Sequence, residues 1–252
     1  MKIALITGAS SGFGEEFVKQ LPAYKDYYGI DEIWAVARRL DRLEALSGKT
    51  ELKVKPVCLD LTSYGSAEEL KRMLEKENAE IACLINCAGY GKIGAFDEIP
   101  LSDNCGQVRL NCEALTAVTY VALPFMGKFS AVLNVASVAS FLPQPQFAVY
   151  AATKAYVLSL SRALRSELKN RKISVTALCP GPAKTEFFSV AETIKAMPAF
   201  KRSFMYDADF VVKKGLKGMK KKKSVVVPGF FMKFFNVICK ILPHRLLLAV
   251  FK

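Results

Sequence analysis

Short apolar runs separated by stretches of helical periodicity are the feature that most restricts how this 252-residue chain folds. Seven runs read as strands, over 3–6, 33–37, 52–58, 81–85, 131–135, 174–178 and 224–227. Several are apolar throughout instead of alternating, the pattern of strands covered on both faces. Helical stretches lie between them, notably over 67–76, 103–125 and 150–169. A helical crossover returns the chain to a parallel position, so the sequence predicts an α/β fold: a doubly wound parallel sheet of about seven strands with helices on both faces. Binding residues in such a sheet gather beyond the carboxyl ends of the strands. With 52 % hydrophobic residues the chain buries one substantial core. We expect one domain over 1–229, including a segment at about 183–204 that covers the cleft, followed by a tail over 230–252.

Two segments carry chemistry. Thr7-Gly8-Ala9-Ser10-Ser11-Gly12-Phe13-Gly14 follows the first apolar run, and a helical pattern begins at Glu15. Glycines let a backbone approach a pyrophosphate, and a helix N-terminus adds free N–H groups and partial positive charge. In Tyr150-Ala151-Ala152-Thr153-Lys154 a phenol and an ammonium stand at i and i+4, on one helical face. Taken singly, the first segment is a turn and the second is surface packing. Their order relative to Asp60-Leu61, Asn86-Cys87-Ala88-Gly89, Asn111, Ser137 and Pro180-Gly181-Pro182 is what gives them weight. The series resembles the short-chain dehydrogenase/reductase family, over the whole chain up to Gly229. Cys87 departs from the pattern, since the family usually carries a second Asn there.

The resemblance implies a Rossmann-like domain in which Gly8, Ser10, Ser11, Gly12, Phe13 and Gly14 cradle a dinucleotide. It places Asp60 and Leu61 beside the adenine, Asn86, Ala88 and Gly89 along a ribose, and Pro180, Gly181 and Thr185 near the nicotinamide. It also implies that Tyr150 is the acid/base, that Lys154 stabilises its phenolate and reaches the nicotinamide ribose, that Ser137 donates to the substrate oxygen, and that Asn111 anchors a water relay to the lysine. The residues add a cofactor preference. Where an acid would meet the ribose 2′-hydroxyl, this chain reads Ala37-Arg38-Arg39. A guanidinium suits a 2′-phosphate, which points to NADP(H), with Arg38 the first choice and Arg39 the second. The bland reading is a solvated pair at a helix start.

The expected activity is interconversion of a ketone or aldehyde with an alcohol. Phe141-Leu142-Pro143-Gln144-Pro145-Gln146-Phe147 is a stiff apolar segment, and Phe187, Phe188, Ile194, Met197, Phe200 and Phe204 follow, so a small apolar substrate is favoured. The rival classes are an inactive dinucleotide-binding sensor or scaffold, and a nucleic-acid binder. The complete catalytic set speaks against the first and the lack of a recognition motif against the second. No metal is expected, since His244 is the single histidine and no Cys-x-x-Cys occurs. The seven cysteines read as small core residues in a reducing compartment. With no leader pattern at the start, a cytoplasmic location is expected. The expected assembly is a homodimer or homotetramer.

Charge is concentrated at the end of the chain. Of a net +13, residues 201–252 supply +11, with 13 basic residues against 2 acidic. Phe230, Phe231, Phe234, Phe235, Ile238, Ile241 and Leu242 read as one helical stripe, with Lys233, Asn236 and Lys240 opposite. Lys213, Lys214, Lys217, Lys220, Lys221, Lys222 and Lys223 precede it. Such a pairing suits an anionic membrane surface, while the equal alternative is a tail packed over the cleft or a partner subunit.

Overall fold

The computed structural model describes residues 1–196 and 205–250, the last by its backbone alone. Seven parallel strands form the sheet: β1 (Lys2–Thr7), β2 (Glu32–Ala37), β3 (Lys53–Cys58), β4 (Glu80–Asn86), β5 (Ala131–Val135), β6 (Ser174–Leu178) and β9 (Val225–Val226), in the order β3-β2-β1-β4-β5-β6-β9. Every expected strand is present. A second, two-stranded sheet was not anticipated: β7 (Ala183–Lys184) pairs with β8 (Tyr206–Asp207). These strands are too short for any periodicity to show.

Side chains alternate between the two faces of the sheet. On one face Ile6, Ile33, Ala35 and Leu133 meet Phe17 of the helix Gly12–Gln20 and Leu216 and Met219 of the helix Ala208–Lys220. On the other, Leu5, Trp34, Leu84 and Val132 meet Leu70 and Leu74 of the helix Ser66–Lys76 and Val118 of the helix Leu115–Ala122. Full burial of each Val, Leu, Ile, Phe or Met side chain among them contributes about 1.5–3 kcal/mol. The chain order turns back between β1 and β4, and this opens a crevice above their carboxyl ends.

The glycine turn is shaped by contact with that crevice. Gly8 has φ +68, and a Cβ there would lie 2.8 Å from the Ala88 backbone. A Cβ on Gly14 would come within 2.1 Å of the Gly8 carbonyl oxygen. Only hydrogen fits at either place, so the first helix starts directly against the turn.

The tail is helical over Phe230–Ile241 and again over His244–Val250. Its apolar residues do not form the single stripe expected. Met232 packs with Leu115, Val157 and Val227, while Phe235, Ile238 and Cys239 meet Phe141, Leu142 and Leu247. Phe230, Phe234, Val237 and Ile241 face outward, 78, 59, 48 and 73 % exposed. Their spacing of i, i+4, i+7 and i+11 places them roughly a third of a turn from the inward set. The helix is apolar around so much of its circumference that two faces result. The lysine cluster is not beside it. Lys221, Lys222 and Lys223 precede β9 and the tail follows β9, so these three lysines and the tail flank opposite ends of that strand, while Lys213, Lys214, Lys217 and Lys220 lie on the helix Ala208–Lys220. The cysteine reading also needs correction: all seven are free, but Cys58 and Cys105 are exposed.

Gly14→Ala is expected to destabilise the fold by at least about 1–3 kcal/mol through overpacking. Gly48→Ala, which meets nothing within 4 Å, should stay within about 0.5 kcal/mol in the same urea unfolding series.

Candidate active site

The helix Ala148–Glu167 lays Tyr150, Thr153 and Lys154 against the carboxyl end of β5. All three are buried, with Lys154 4 % exposed. The Lys154 ammonium donates to the Val135 carbonyl at 2.8 Å and lies 5.7 Å from the centroid of the Tyr150 ring. Asn111 sits in a π-helical turn, Arg109–Ala114, where one extra residue per turn interrupts the long helix expected over 103–125. Its amide is tied down on both sides. Oδ1 accepts from the Tyr90 N–H at 3.0 Å, and Nδ2 donates to the Tyr90 carbonyl at 2.8 Å and to Thr153 Oγ1 at 3.0 Å. Thr153 Oγ1 in turn donates to the Tyr150 carbonyl at 2.8 Å. Asn111 and Lys154 converge on Gly89, where a Cβ would lie 2.9 Å from Asn111 Oδ1 and 3.3 Å from Lys154 Nζ.

Ser137 follows β5 and caps the short helix Val138–Phe141, its Oγ accepting from the Ala139 N–H at 3.1 Å. That bond uses the oxygen and leaves its single proton to donate. Ser140 turns away, donating instead to the Ser137 carbonyl at 2.5 Å. Burial pushes the Tyr150 phenol up to about 12, with the Ser137 hydroxyl acting in the opposite sense. The lowering expected from Lys154 does not enter: Ser137 is the group that opposes burial here. Burial also pushes the Lys154 ammonium down to about 8. At neutral pH the pair is therefore a protonated phenol beside an ammonium.

Around the crevice, the backbone N–H groups of the first helical turn lack intrahelical partners. Ser10, Ser11, Gly12 and Phe13 all lie at that turn, and a Cβ on Gly12 would meet Thr185 at 3.3 Å. Across the crevice, Thr7 Oγ1 accepts from the N–H groups of Cys87 and Ala88 at 3.1 and 3.2 Å, so a cysteine at 87 leaves that backbone paired. Asp60 accepts from Thr62 and pairs with Arg38 at 3.9 Å; these interactions overcome burial and hold its carboxyl below the usual range. Leu61 packs beside the second core. Pro180 accepts from the Val138 N–H at 2.9 Å, and Gly181 lies under Met232 of the tail.

Two expectations shift. The Asn86 side chain does not face the crevice: it donates to Thr119 Oγ1 at 3.0 Å and Asn134 Oδ1 at 2.9 Å, tying β4 to β5 and a helix. Arg38, the first choice for a 2′-phosphate, has a side chain 72 % exposed. Arg39 instead reaches Ser10 Oγ through Nε and Nη2, both at 3.2 Å, and pairs with Glu186. Thr153, Arg42 and Glu186 belong to this region and were not singled out from the sequence; Thr153 meets Asn111, and Arg42 meets Glu186, across separations of 42 and 144 residues, so no local pattern marks them.

An aromatic wall surrounds the phenol. Phe147 stacks on Tyr150 with centroids 4.3 Å apart, and Phe187 lies 5.2 Å from it and 5.3 Å from Phe188. Ile93 joins this group, while Phe141 packs under the tail. Met197, Phe200 and Phe204 lie outside the described residues. Among the described residues no group of His, Cys, Asp and Glu is placed to hold a metal. An open depression of about 540 Å³ lined by Glu75, Asn78, Glu80 and Phe125 lies at the opposite, amino end of the strands.

Lys154 titrates lower in the folded chain than its ordinary 10.5, so between about 8 and 10.5 the unfolded chain binds a proton that the folded one lacks. Its contribution to stability therefore rises with pH across that window. Tyr150 and the buried thiols, which are shifted upward, act in the opposite direction. The wild type should consequently gain on Lys154→Met by up to about 3 kcal/mol as urea unfolding is repeated from pH 7 to above 10. A pH-independent difference would show that the ammonium is not perturbed.

Comparison with known proteins accounts for this geometry. The sequence model of the short chain dehydrogenase family matches residues 2–195. A serine 3-dehydrogenase from Rhizobium radiobacter is 34 % identical over 188 residues, covering 73 % of this chain and 72 % of its own. Among solved structures, a short-chain dehydrogenase from Sphingobium yanoikuyae in complex with NADPH aligns with TM-score 0.79 and 28 % identity, over 99 % of this chain and 95 % of that one. The bulky-bulky ketone specific alcohol dehydrogenase from Comamonas testosteroni gives 0.76 and 27 %, over 99 % and 94 %. With its parallel sheet, glycine turn and Ser137–Tyr150–Lys154 constellation, the chain belongs to the short-chain dehydrogenase/reductase family of oxidoreductases.

Proposed function

We propose that this protein is an NADP(H)-dependent oxidoreductase interconverting a bulky apolar ketone or aldehyde and its alcohol, with Tyr150 as proton donor and acceptor. The observation that carries the reading is a buried phenol set between a proton-donating serine, a buried ammonium and an aromatic wall. The crevice fits a dinucleotide: it has a turn in which only glycine fits at 8 and 14, free helix N–H groups and basic side chains that already hold an anion. When bound, the cofactor supplies or accepts the hydride. Ser137 orients the substrate oxygen by donating to it, and Tyr150, protonated at neutral pH, delivers the proton as charge develops there. Lys154 keeps positive charge beside the resulting phenolate, and its remaining N–H groups are in position to hold a ribose hydroxyl. Asn111 positions this helix through Thr153.

The Sphingobium protein in complex with NADPH supports the cofactor choice, and the Comamonas ketone enzyme supports a bulky substrate. The Rhizobium enzyme's name points to a polar hydroxy amino acid instead. Phe147, Phe187 and Phe188 beside Tyr150 favour the ketone, since an apolar wall stabilises an apolar substituent and offers a carboxylate nothing. Assembly as two or four copies belongs to the same reading. Tyr150→Phe should lower kcat/KM for NADPH-dependent reduction of bulky ketones about 10²–10⁴-fold while NADPH affinity stays within about twofold. Substantial turnover in that variant would move the proton donor elsewhere, and no turnover in the wild type with any ketone would favour the inactive dinucleotide-binding scaffold.

A second reading concerns the tail. Among the described residues, no helix is long and apolar enough to cross a membrane. Phe230, Phe234, Val237 and Ile241 form an exposed apolar stripe, however, and the tail's charged residues, Lys233, Lys240, Arg245 and Lys252, are all basic. That combination suits an anionic lipid surface. The protein should float with phosphatidylserine-rich vesicles, more weakly as salt rises, and Phe230→Ser/Phe234→Ser should remain at the bottom of the gradient. Equal flotation of the variant would remove the stripe from the explanation.

A further inference from the structure

Ser10, Arg39, Arg42 and Glu186 come together from three separate parts of the chain. Ser10 lies in the glycine turn, Arg39 and Arg42 stand at and just inside the short helix Leu40–Glu44 after β2, and Glu186 precedes the helix Phe187–Ala191. Arg39 Nη1 and Nη2 both donate to Glu186 Oε2 at 3.2 Å, and Arg42 Nη1 donates to Oε1. Arg39 also donates to Ser10 Oγ from Nε and Nη2 and, at 3.5 Å, to the Ser10 carbonyl from Nη2. Both carboxylate oxygens are therefore engaged by guanidinium donors, and one of those guanidiniums is fixed to the glycine turn. Donors of this kind, arranged around one anionic group, suit a phosphate as well as a carboxylate, and a phosphate brings more charge and more acceptor oxygens.

The group that occupies this cradle lies outside the seven-stranded sheet, between β7 and the helix Phe187–Ala191. Glu186 immediately precedes the helix whose first residue, Phe187, packs 5.2 Å from the Tyr150 ring, and whose last, Ala191, accepts from the Ile93 N–H at 2.8 Å. The side chains of Arg39, Arg42 and Glu186 are 42, 43 and 47 % exposed, so an incoming solute reaches them.

We propose that Glu186 is an internal substitute for the cofactor's 2′-phosphate, and that the phosphate displaces it from Arg39 and Arg42, releasing the start of the Phe187–Ala191 helix. Arg42 becomes a specificity-determining residue, and occupancy of the ribose-phosphate site is linked to the wall over Tyr150. The proposal rests on the NADP(H) reading. In an enzyme that used NADH, the carboxylate would have no competitor and would keep its place.

The test uses the full chain and two probes that lack a nicotinamide, 2′,5′-ADP and 5′-AMP, in calorimetric titrations of the wild type, Glu186→Gln and Arg42→Ala. Glu186→Gln should tighten 2′,5′-ADP by about three- to tenfold, the strength of one or two half-exposed ion pairs, and leave 5′-AMP within about twofold. Arg42→Ala should weaken 2′,5′-ADP alone. Amide hydrogen exchange over 186–191 should rise on addition of 2′,5′-ADP and not on addition of 5′-AMP. Unchanged or weaker 2′,5′-ADP binding by Glu186→Gln overturns the proposal, because the carboxylate would then be indifferent to the phosphate or would help to orient the arginines for it. Reduced exchange over 186–191 overturns it as well. If the wild type prefers 2′,5′-ADP and the variant does not differ, only the substitution by Glu186 is wrong; if the wild type binds both probes equally, the NADP(H) reading falls with it. Retained 5′-AMP binding reports that each variant is folded.

Discussion

The parallel contact between β1 and β4 is the constraint on which the site depends. The two strands pair along their length, and their carboxyl ends face each other as two turns, Gly8–Gly14 and Cys87–Gly89. Thr7 fastens one turn to the other by accepting from two N–H groups of the second, and Gly8 lies against the Ala88 backbone with no room for a side chain. Once these turns are fixed, the first helix has one place to begin. The crevice then has a floor of backbone atoms, which holds a ligand with little entropy left to lose.

Placement of the catalytic groups sets two opposing shifts side by side. Burial disfavours charge on both Tyr150 and Lys154, and so raises one and lowers the other. A fold optimised for stability alone would place neither polar group here without a fuller set of partners. Lys154 donates one of its three N–H groups to the Val135 carbonyl. A polar ligand in the crevice would offset the cost of keeping that charge buried.

The sheet was legible because continuous apolar runs and their spacing report burial on two faces, a property of each strand alone. Asn111, Ser137, Tyr150 and Lys154 were legible as an ordered set, and the structure brings all four to one end of the sheet. Long-range pairing was less accessible. Nothing near Asn86 reveals that its amide meets Thr119 and Asn134, or near Glu186 that it meets Arg39 and Arg42. The directions in which Arg38 and Arg39 leave their turn, one toward Asp60 and the other toward Ser10 and Glu186, depend on partners distant in sequence. The tail's helix was legible but not its packing: with so many apolar positions on one short helix, periodicity cannot select the face that packs. The π turn at Arg109–Ala114 is equally invisible, since it is set by tertiary contacts of Asn111 and not by the composition of the segment.

The separation of the lysine cluster from the tail by β9 carries one more consequence. Lys222 and Lys223 lie at the amino edge of the sheet, where their carbonyls accept from Arg165 and Thr176, while the mouth of the crevice opens at the carboxyl edge. A polyanion drawn to that cluster would be gripped from behind.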